Sequence, residues 1–174
     1  MHKILSILLI ALIIITACSS NKTALTTEEK LALADQLYAK GKYSRAAELY
    51  AQVYLDRIST SSAYALLREA DCYFKINRFA DAYAAYLEYI NNFPNYPDVS
   101  TALFRAAVCL YEQSLEPQYD QTETLEAIEA FEKFIAKYPN DPRCEEALQY
   151  IQKAKHKLTE KKFHIGYTYY KMRD

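Results

Sequence analysis

Glycine and proline are scarce in this chain, two and five in 174 residues, and tryptophan is absent. Tight turns with positive φ depend on glycine, and long β-branched runs are missing after residue 15, so a sheet protein is excluded. No charge of one sign dominates. The 21 basic residues face 22 acidic ones, and losing Lys3 with a leader changes this only to 20 against 22, which excludes nucleic acid as an expected partner. There is no glycine-rich phosphate loop, nucleophile elbow or HExxH spacing, and scattered Asp and Glu identify no acid/base pair. What is abundant is Ala, Leu, Glu, Lys and 17 Tyr, the composition of an all-α protein whose grooves are filled by phenol rings.

The longest apolar stretch, Ile4 to Ile15, has 12 residues and is broken by Ser6. A bilayer span needs roughly 20, so this stretch reads as an export signal with His2 and Lys3 as its basic end. Ile15-Thr16-Ala17-Cys18 resembles a bacterial lipobox, which implies a signal peptide over 1–17 and lipidation of Cys18. Several acyl chains on one residue hold a protein firmly at a membrane, at about 0.8 kcal/mol per buried methylene. The same site also suits ordinary secretion with Cys18 incidental. Ser19 and Ser20 follow, and no Asp stands directly after the Cys, which resembles the outer-membrane sorting pattern. Residues 18–25 form a small, polar tether, and a folded domain is expected over 26–174.

That domain opens on a capping box, Thr26 with Glu29. A helical hairpin follows from Leu33 to Asp56. Ala34 and Ala46 allow close helix approach, Gly41 turns the chain, and Tyr43, Tyr50 and Val53 fill the space beside them. A shift of 36 residues carries Ala34 to Ala70, Gly41 to Asn77, Tyr43 to Phe79, Ala46 to Ala82 and Tyr50 to Tyr86. Arg68, Ala70 and Cys72 recur 37 later as Arg105, Ala107 and Cys109, whereas Ala82, Tyr86 and Pro94 recur 45 later as Ala127, Phe131 and Pro139. The difference, 45 − 37 = 8, is an insertion in the third turn, within Glu112 to Thr124. It is expected to project from one edge, as a contact site or as a tolerated surface insertion. After Pro139, Asp141-Pro142 with Glu145 reads as a helix start. The last helix carries Ala147, Leu148, Ile151, Ala154, Leu158 and Ile165 as its apolar stripe. Gly166, Tyr169 and Tyr170 begin another first-helix pattern, which the chain leaves half a repeat short; the expectation is an incomplete C-terminus or one that needs a partner.

The Ala34, Gly41, Tyr43, Ala46, Tyr50 pattern and its copies resemble the tetratricopeptide repeat. That resemblance implies a right-handed solenoid of helical hairpins, about three repeats plus a long C-terminal helix. A narrower resemblance rests on the lipobox Cys18, repeats beginning at once, the PQYDQT sequence at Pro117 to Thr122 and the terminal Tyr169-Tyr170 pair. Together these look like the BamD family of outer-membrane β-barrel assembly lipoproteins. The resemblance implies a non-enzymatic scaffold, lipid-anchored at the periplasmic face of the outer membrane. Its implied partners are a BamA-like barrel protein, other assembly lipoproteins and unfolded barrel precursors; it implies no cofactor. BamD proteins have about five repeats, whereas three and a fraction are present here. A repeat lipoprotein serving cell-wall enzymes or another envelope complex is the alternative.

In such a solenoid the first helices of successive hairpins line a concave surface. The side chains one and four positions past the small alanine then point into it: Asp35 and Tyr38, Asp71 and Phe74, Val108 and Tyr111. Rings beside carboxylates suit an extended peptide, and the same rings equally suit packing between repeats. Arg68 and Arg105 read as solvated surface charges. Cys72 and Cys109 read as small buried residues, and Cys144, His156 and His164 lack the spacing of a catalytic or metal site.

The anchor reading makes a prediction: Cys18→Ser moves the full chain from the membrane to the soluble fraction. Unchanged membrane retention of the variant on cell fractionation would sink the lipid-anchor assignment.

Overall fold

A computed structural model describes residues 25–56 and 61–173; the expected signal peptide over 1–17, Cys18 and most of the expected tether lie outside the described residues. Among the described residues the chain forms seven helices and no strand: α1 (Thr27–Ala39), α2 (Tyr43–Leu55), α3 (Ser62–Lys75), α4 (Phe79–Asn92), α5 (Val99–Gln113), α6 (Thr122–Lys137) and α7 (Cys144–Met172). Each helix packs on the next along the chain, and α5 also touches α7. The result is the expected solenoid of hairpins.

Local chemistry accounts for the helix boundaries. The Thr26 hydroxyl accepts from the Glu29 amide at 3.2 Å while the Glu29 carboxylate accepts from the Thr26 amide at 2.9 Å, completing the capping box. Helix α1 ends at Gly41, with φ +70°, and α3 ends at Asn77, with φ +59°. Both turns are Schellman motifs. Gly41 N–H donates to Tyr38 C=O and Lys42 N–H to Leu37 C=O, each at 2.9 Å; Asn77 and Arg78 repeat this on Phe74 and Tyr73 at 3.1 and 2.9 Å. The start of α7 departs from expectation. Asp141 lies in a turn ahead of the helix, accepting from the Arg143 amide at 3.0 Å and from its guanidinium at 2.8 and 2.6 Å, and α7 begins at Cys144 without a side-chain cap. The Arg143 guanidinium competes for the carboxylate oxygens that a cap would need, and holds the Asp141 carboxyl down at about 2.

The repeating alanines do what their size allows. Ala34, Ala46, Ala70, Ala82, Ala107 and Ala127 have no exposed surface, and neither do Ala147 and Ala154 on α7. Around them the core divides at α5: Ala102, Ala106 and Cys109 join the cluster running back to α1, while Phe104, Ala107, Val108 and Leu110 join α6 and α7. Cys72 and Cys109 are fully buried free thiols, each pushed up to about 12 by burial. Of the α7 stripe, Ala147, Ile151 and Ala154 are buried, whereas Leu148 and Ile165 are 45% and 47% exposed. The helix is continuous, and from Lys162 to Arg173 every side chain is exposed.

A Cβ added at Gly41 meets nothing within 4 Å, so only its left-handed backbone resists substitution. Gly41→Ala is therefore expected to lower stability by about 1–2 kcal/mol, while Asn77→Gly stays within about 0.5 kcal/mol of the parent, read from urea denaturation midpoints.

Candidate peptide-binding groove

The side chains expected to line the groove fall into a repeating three-residue arrangement, and only part of it faces outward. In the second repeat, Asp71 on α3 accepts from the Tyr86 hydroxyl on α4 at 2.7 Å and from the Arg105 guanidinium on α5. Arg68, one turn before Asp71, adds an ion pair at 3.5 Å. Asp71 and Tyr86 are buried. Burial and the Asp71 carboxylate both push the Tyr86 phenol up; burial works against charge on Arg105, and Asp71 and Tyr86 outweigh it, so the guanidinium is raised. The first repeat repeats the Asp–Tyr pair, with a second phenol in place of the arginine. Asp35 accepts from Tyr50, also 15 residues downstream, at 2.6 Å and from Tyr64 at 2.9 Å. Burial, then Asp35, raises the Tyr50 phenol.

In the third repeat both charges and the buried hydroxyl disappear, and a half-buried phenol stands where the cation was. The offsets 37 and 45 carry Asp71 to Val108, Tyr86 to Phe131 and Arg105 to Tyr150. Val108 and Phe131 are buried, and the Tyr150 ring stacks on Phe131 at 5.0 Å with the planes 8° apart. Acceptor, hydroxyl and cation have been lost together. Any one of them alone would leave a buried polar group unpaired at a cost of about 1–3 kcal/mol.

Arg68 and Arg105 are thus not solvated surface charges, as their sequence suggested. Their partner Asp71 stands on a neighbouring turn or helix, and their side chains are only 24% and 36% exposed. Arg68 also lies over the Tyr38 ring, 3.6 Å from its centroid, and its Nε is buried without a hydrogen-bond partner, as expected for a guanidinium held by a π face. Among the groove candidates, Tyr38 packs edge-on to Tyr43 at 5.1 Å and Phe74 edge-on to Phe79 at 5.7 Å, each ring closing its own hairpin turn. Tyr111 meets Tyr150 edge-on at 5.1 Å, with Lys157 over its face at 5.1 Å. All three rings remain half-buried, with surface left over. Asp71 and Val108 offer almost none, and Asp35 is already engaged by two phenols.

The third-turn insertion folds back instead of projecting freely. Gln121, 4% exposed, donates from Nε2 to the Glu116 carbonyl at 2.8 Å and the Asp120 carbonyl at 3.0 Å, and its Oε1 accepts from Thr124 at 2.7 Å. Lys157 reaches Ser114 Oγ and Lys161 reaches the Tyr119 carbonyl, both at 2.7 Å, lashing the loop to α7. Within PQYDQT, Pro117 and Gln121 are therefore inner residues, and Tyr119 is 57% exposed.

The chemical candidates lie apart. The Cys144 thiol donates to the Tyr138 carbonyl at 3.1 Å, His156 faces Glu160 at 3.5 Å, and His164 stands beside the Phe163 ring. Among the described residues no group of three or more His, Cys, Asp or Glu is placed to hold a metal ion. Sequence reasoning misread Arg68 and Arg105 and gave no role to Tyr64, Tyr150 and Gln121. The available signal was the fixed 15-residue Asp-to-Tyr offset and its joint loss in the third repeat.

Comparisons with known proteins bear on this geometry. A family model described as "YfiO: Outer membrane lipoprotein" matches residues 19–174. The chain is 25% identical over 133 residues to the "Outer membrane protein assembly factor BamD" of Caulobacter vibrioides, a match covering 76% of this chain and 44% of that protein. The chain therefore spans less than half the length of that curated relative. Among solved structures, the second tetratricopeptide-repeat domain of human RPAP3, determined in complex with an HSP70 peptide, aligns with a TM-score of 0.56 at 19% identity, covering 75% of this chain and 98% of that domain. This last likeness is one of fold.

The joint replacement of the three residues predicts non-additive energetics. Asp71→Ala alone leaves Tyr86 and Arg105 without their acceptor and is expected to cost about 2–3 kcal/mol, below the 3–5 of a fully buried pair because a third of Arg105 meets solvent. Installing the third repeat's set, Asp71→Val with Tyr86→Phe and Arg105→Tyr, is expected to recover all but about 1 kcal/mol in chemical denaturation. A triple variant no more stable than Asp71→Ala would refute the interchangeability of the two sets.

Proposed function

The chain belongs to the YfiO family of outer membrane lipoproteins, and from that membership we propose that it is a lipid-anchored scaffold of outer-membrane β-barrel assembly. In this reading it is held through Cys18 at the periplasmic face of the outer membrane. There it binds a BamA-like barrel protein, neighbouring assembly lipoproteins and unfolded barrel precursors. The observation that carries the proposal is the family match along 19–174, together with the likeness to an outer membrane protein assembly factor. No chemistry is required of such a protein beyond shape and adhesion. Repeats that hold aromatic rings at fixed intervals supply both.

The precursor-binding surface is assigned to Tyr38, Phe74 and Tyr111, one ring from the first helix of each hairpin. Cations sit on two of these rings, Arg68 over Tyr38 and Lys157 over Tyr111. Half-buried rings flanked by cations suit an extended, aromatic-rich segment ending in a carboxylate, the kind of C-terminal signal barrel precursors carry. Asp35 and Asp71 serve this surface indirectly, by fixing the helices that bear the rings.

The expected outcome is that a fluorescently labelled peptide copying the last strand of a barrel protein, with its terminal Phe, binds the full chain in an anisotropy titration. Tyr38→Ala and Tyr111→Ala should each weaken binding by about fivefold or more. Equal affinity of the parent and both variants would remove the groove assignment. Recovery from detergent-solubilised membranes with peptidoglycan enzymes, and without a BamA-like barrel protein, would remove the assembly role.

A further inference from the structure

A second surface lies on the other side of α5. Ala106 leaves the helix two residues before Val108, about 200° around its axis, and so on nearly the opposite face. There α4 and α6 flank an open groove of about 360 Å³, walled by Tyr83 and Leu87 and floored by Leu103, Ala106 and Leu110 of α5. Its α6 rim carries Glu126, Glu129 and Lys133; Lys133 is bonded to Glu129 at 2.7 Å, which leaves Glu126 as the uncompensated charge of the rim.

The same place one repeat earlier carries larger, polar side chains. Subtracting 37 carries Ala106 to Glu69 and Leu110 to Tyr73, on the α3 floor between α2 and α4. The Glu69 carboxyl is pushed up to about 7, by burial first and by nearby Glu88 as well, against the hydrogen bond from Tyr73. Glu88 accepts from the Tyr54 hydroxyl at 2.6 Å, tying α2 to α4 across the space. Thus two bulky polar side chains occupy the floor position of the first groove, where the second carries Ala and Leu.

We propose that the α4–α6 groove docks one amphipathic helix of a partner protein. Its apolar side chains at i and i+4 lie along Tyr83, Leu87 and Leu103, above the buried Ala106 and Leu110, and a Lys or Arg beside them faces Glu126. The floor from Leu103 to Leu110 is about 10 Å long, two turns of a helix at 1.5 Å per residue. A helix satisfies its own backbone, whereas an extended segment would find no sheet edge here to pair with. The acidic rim sets the charge of the occupant. This inference stands apart from the ring-lined surface proposed for precursors.

The test pans a phage-displayed library of random peptides of about 16 residues on the full chain, then titrates the enriched peptide by anisotropy. Enriched sequences are expected to carry apolar residues at i and i+4 beside Lys or Arg. Ala106→Glu with Leu110→Tyr, which installs the earlier repeat's side chains, should weaken binding by about tenfold or more. The surface variant Glu126→Lys with Glu129→Lys leaves the core untouched and should weaken it by about threefold or more. Tyr38→Ala with Tyr111→Ala should leave it unchanged. No enrichment, acid-flanked sequences, or a peptide whose affinity is equal across the two groove variants overturns the proposal.

Discussion

The rest of the structure depends on close helix approach at positions where no side chain larger than a methyl group fits. Ala34, Ala46, Ala70, Ala82, Ala107 and Ala127 are sealed from solvent, one per helix from α1 to α6. Once backbones approach this closely, the side chains beside each alanine lose access to water. Any polar group among them must then find a protein partner. That constraint selects the Asp–Tyr–Arg set. Tyr50 and Tyr86 fill large volumes in the core, and their hydroxyls require acceptors that only Asp35 and Asp71 reach. The third repeat meets the same constraint by removing the carboxylate, the buried hydroxyl and the cation, and keeps only the half-buried Tyr150 phenol.

This gives the solenoid two kinds of repeat interface. Between the second and third hairpins a buried carboxylate binds two arginines and a phenol, so its geometry is fixed by directional bonds. Between the third hairpin and α7 the contact is ring on ring, Phe104, Phe131 and Tyr150 with Tyr111, and tolerates sliding more readily. Extra fixation there comes from outside the repeat pattern. Lys157 and Lys161 pin the eight-residue insertion to α7, and Gln121 gives that insertion its shape. The PQYDQT sequence is thus explained in part by packing: its Gln121 is a structural residue, while Tyr119 is what it presents outward.

Much of this was legible because it is local. The Gly41 and Asn77 turns, the Thr26 capping box, the alanine period and the unbroken last helix follow from interactions within a few residues, and the structure agrees on each. Most of the misreadings involve partners far along the chain or in competition, although Arg68 finds Asp71 only three residues on. Arg105 looked solvated because its acceptor lies 34 residues back, and only folding brings the two together. Asp141 looked like the cap of α7; it does accept the Arg143 amide, but in a turn ahead of the helix, and it shares its oxygens with the guanidinium of the same residue. Asp71 looked free to receive a ligand's hydrogen bonds, and three protein groups take them first. A repeat period gives equivalence between positions; it does not say which of them share a partner.

Comparing equivalent positions goes further than the period itself, because a departure confined to one repeat is free of the demands of the shared fold. Glu69 and Tyr73 demonstrate that bulky polar residues are compatible with helix packing at their positions, so Ala106 and Leu110 are not imposed by geometry. The same logic applied to Val108, Phe131 and Tyr150 gives a different result: there the space stays filled, and only its polarity changes. A replacement that preserves packing is explained by packing. A replacement that leaves a groove about 360 Å³ in size uncovers its walls, with Leu87 36% exposed above the buried Ala106 and Leu110, at a cost the fold did not require. A binding partner that covers this surface would offset that cost.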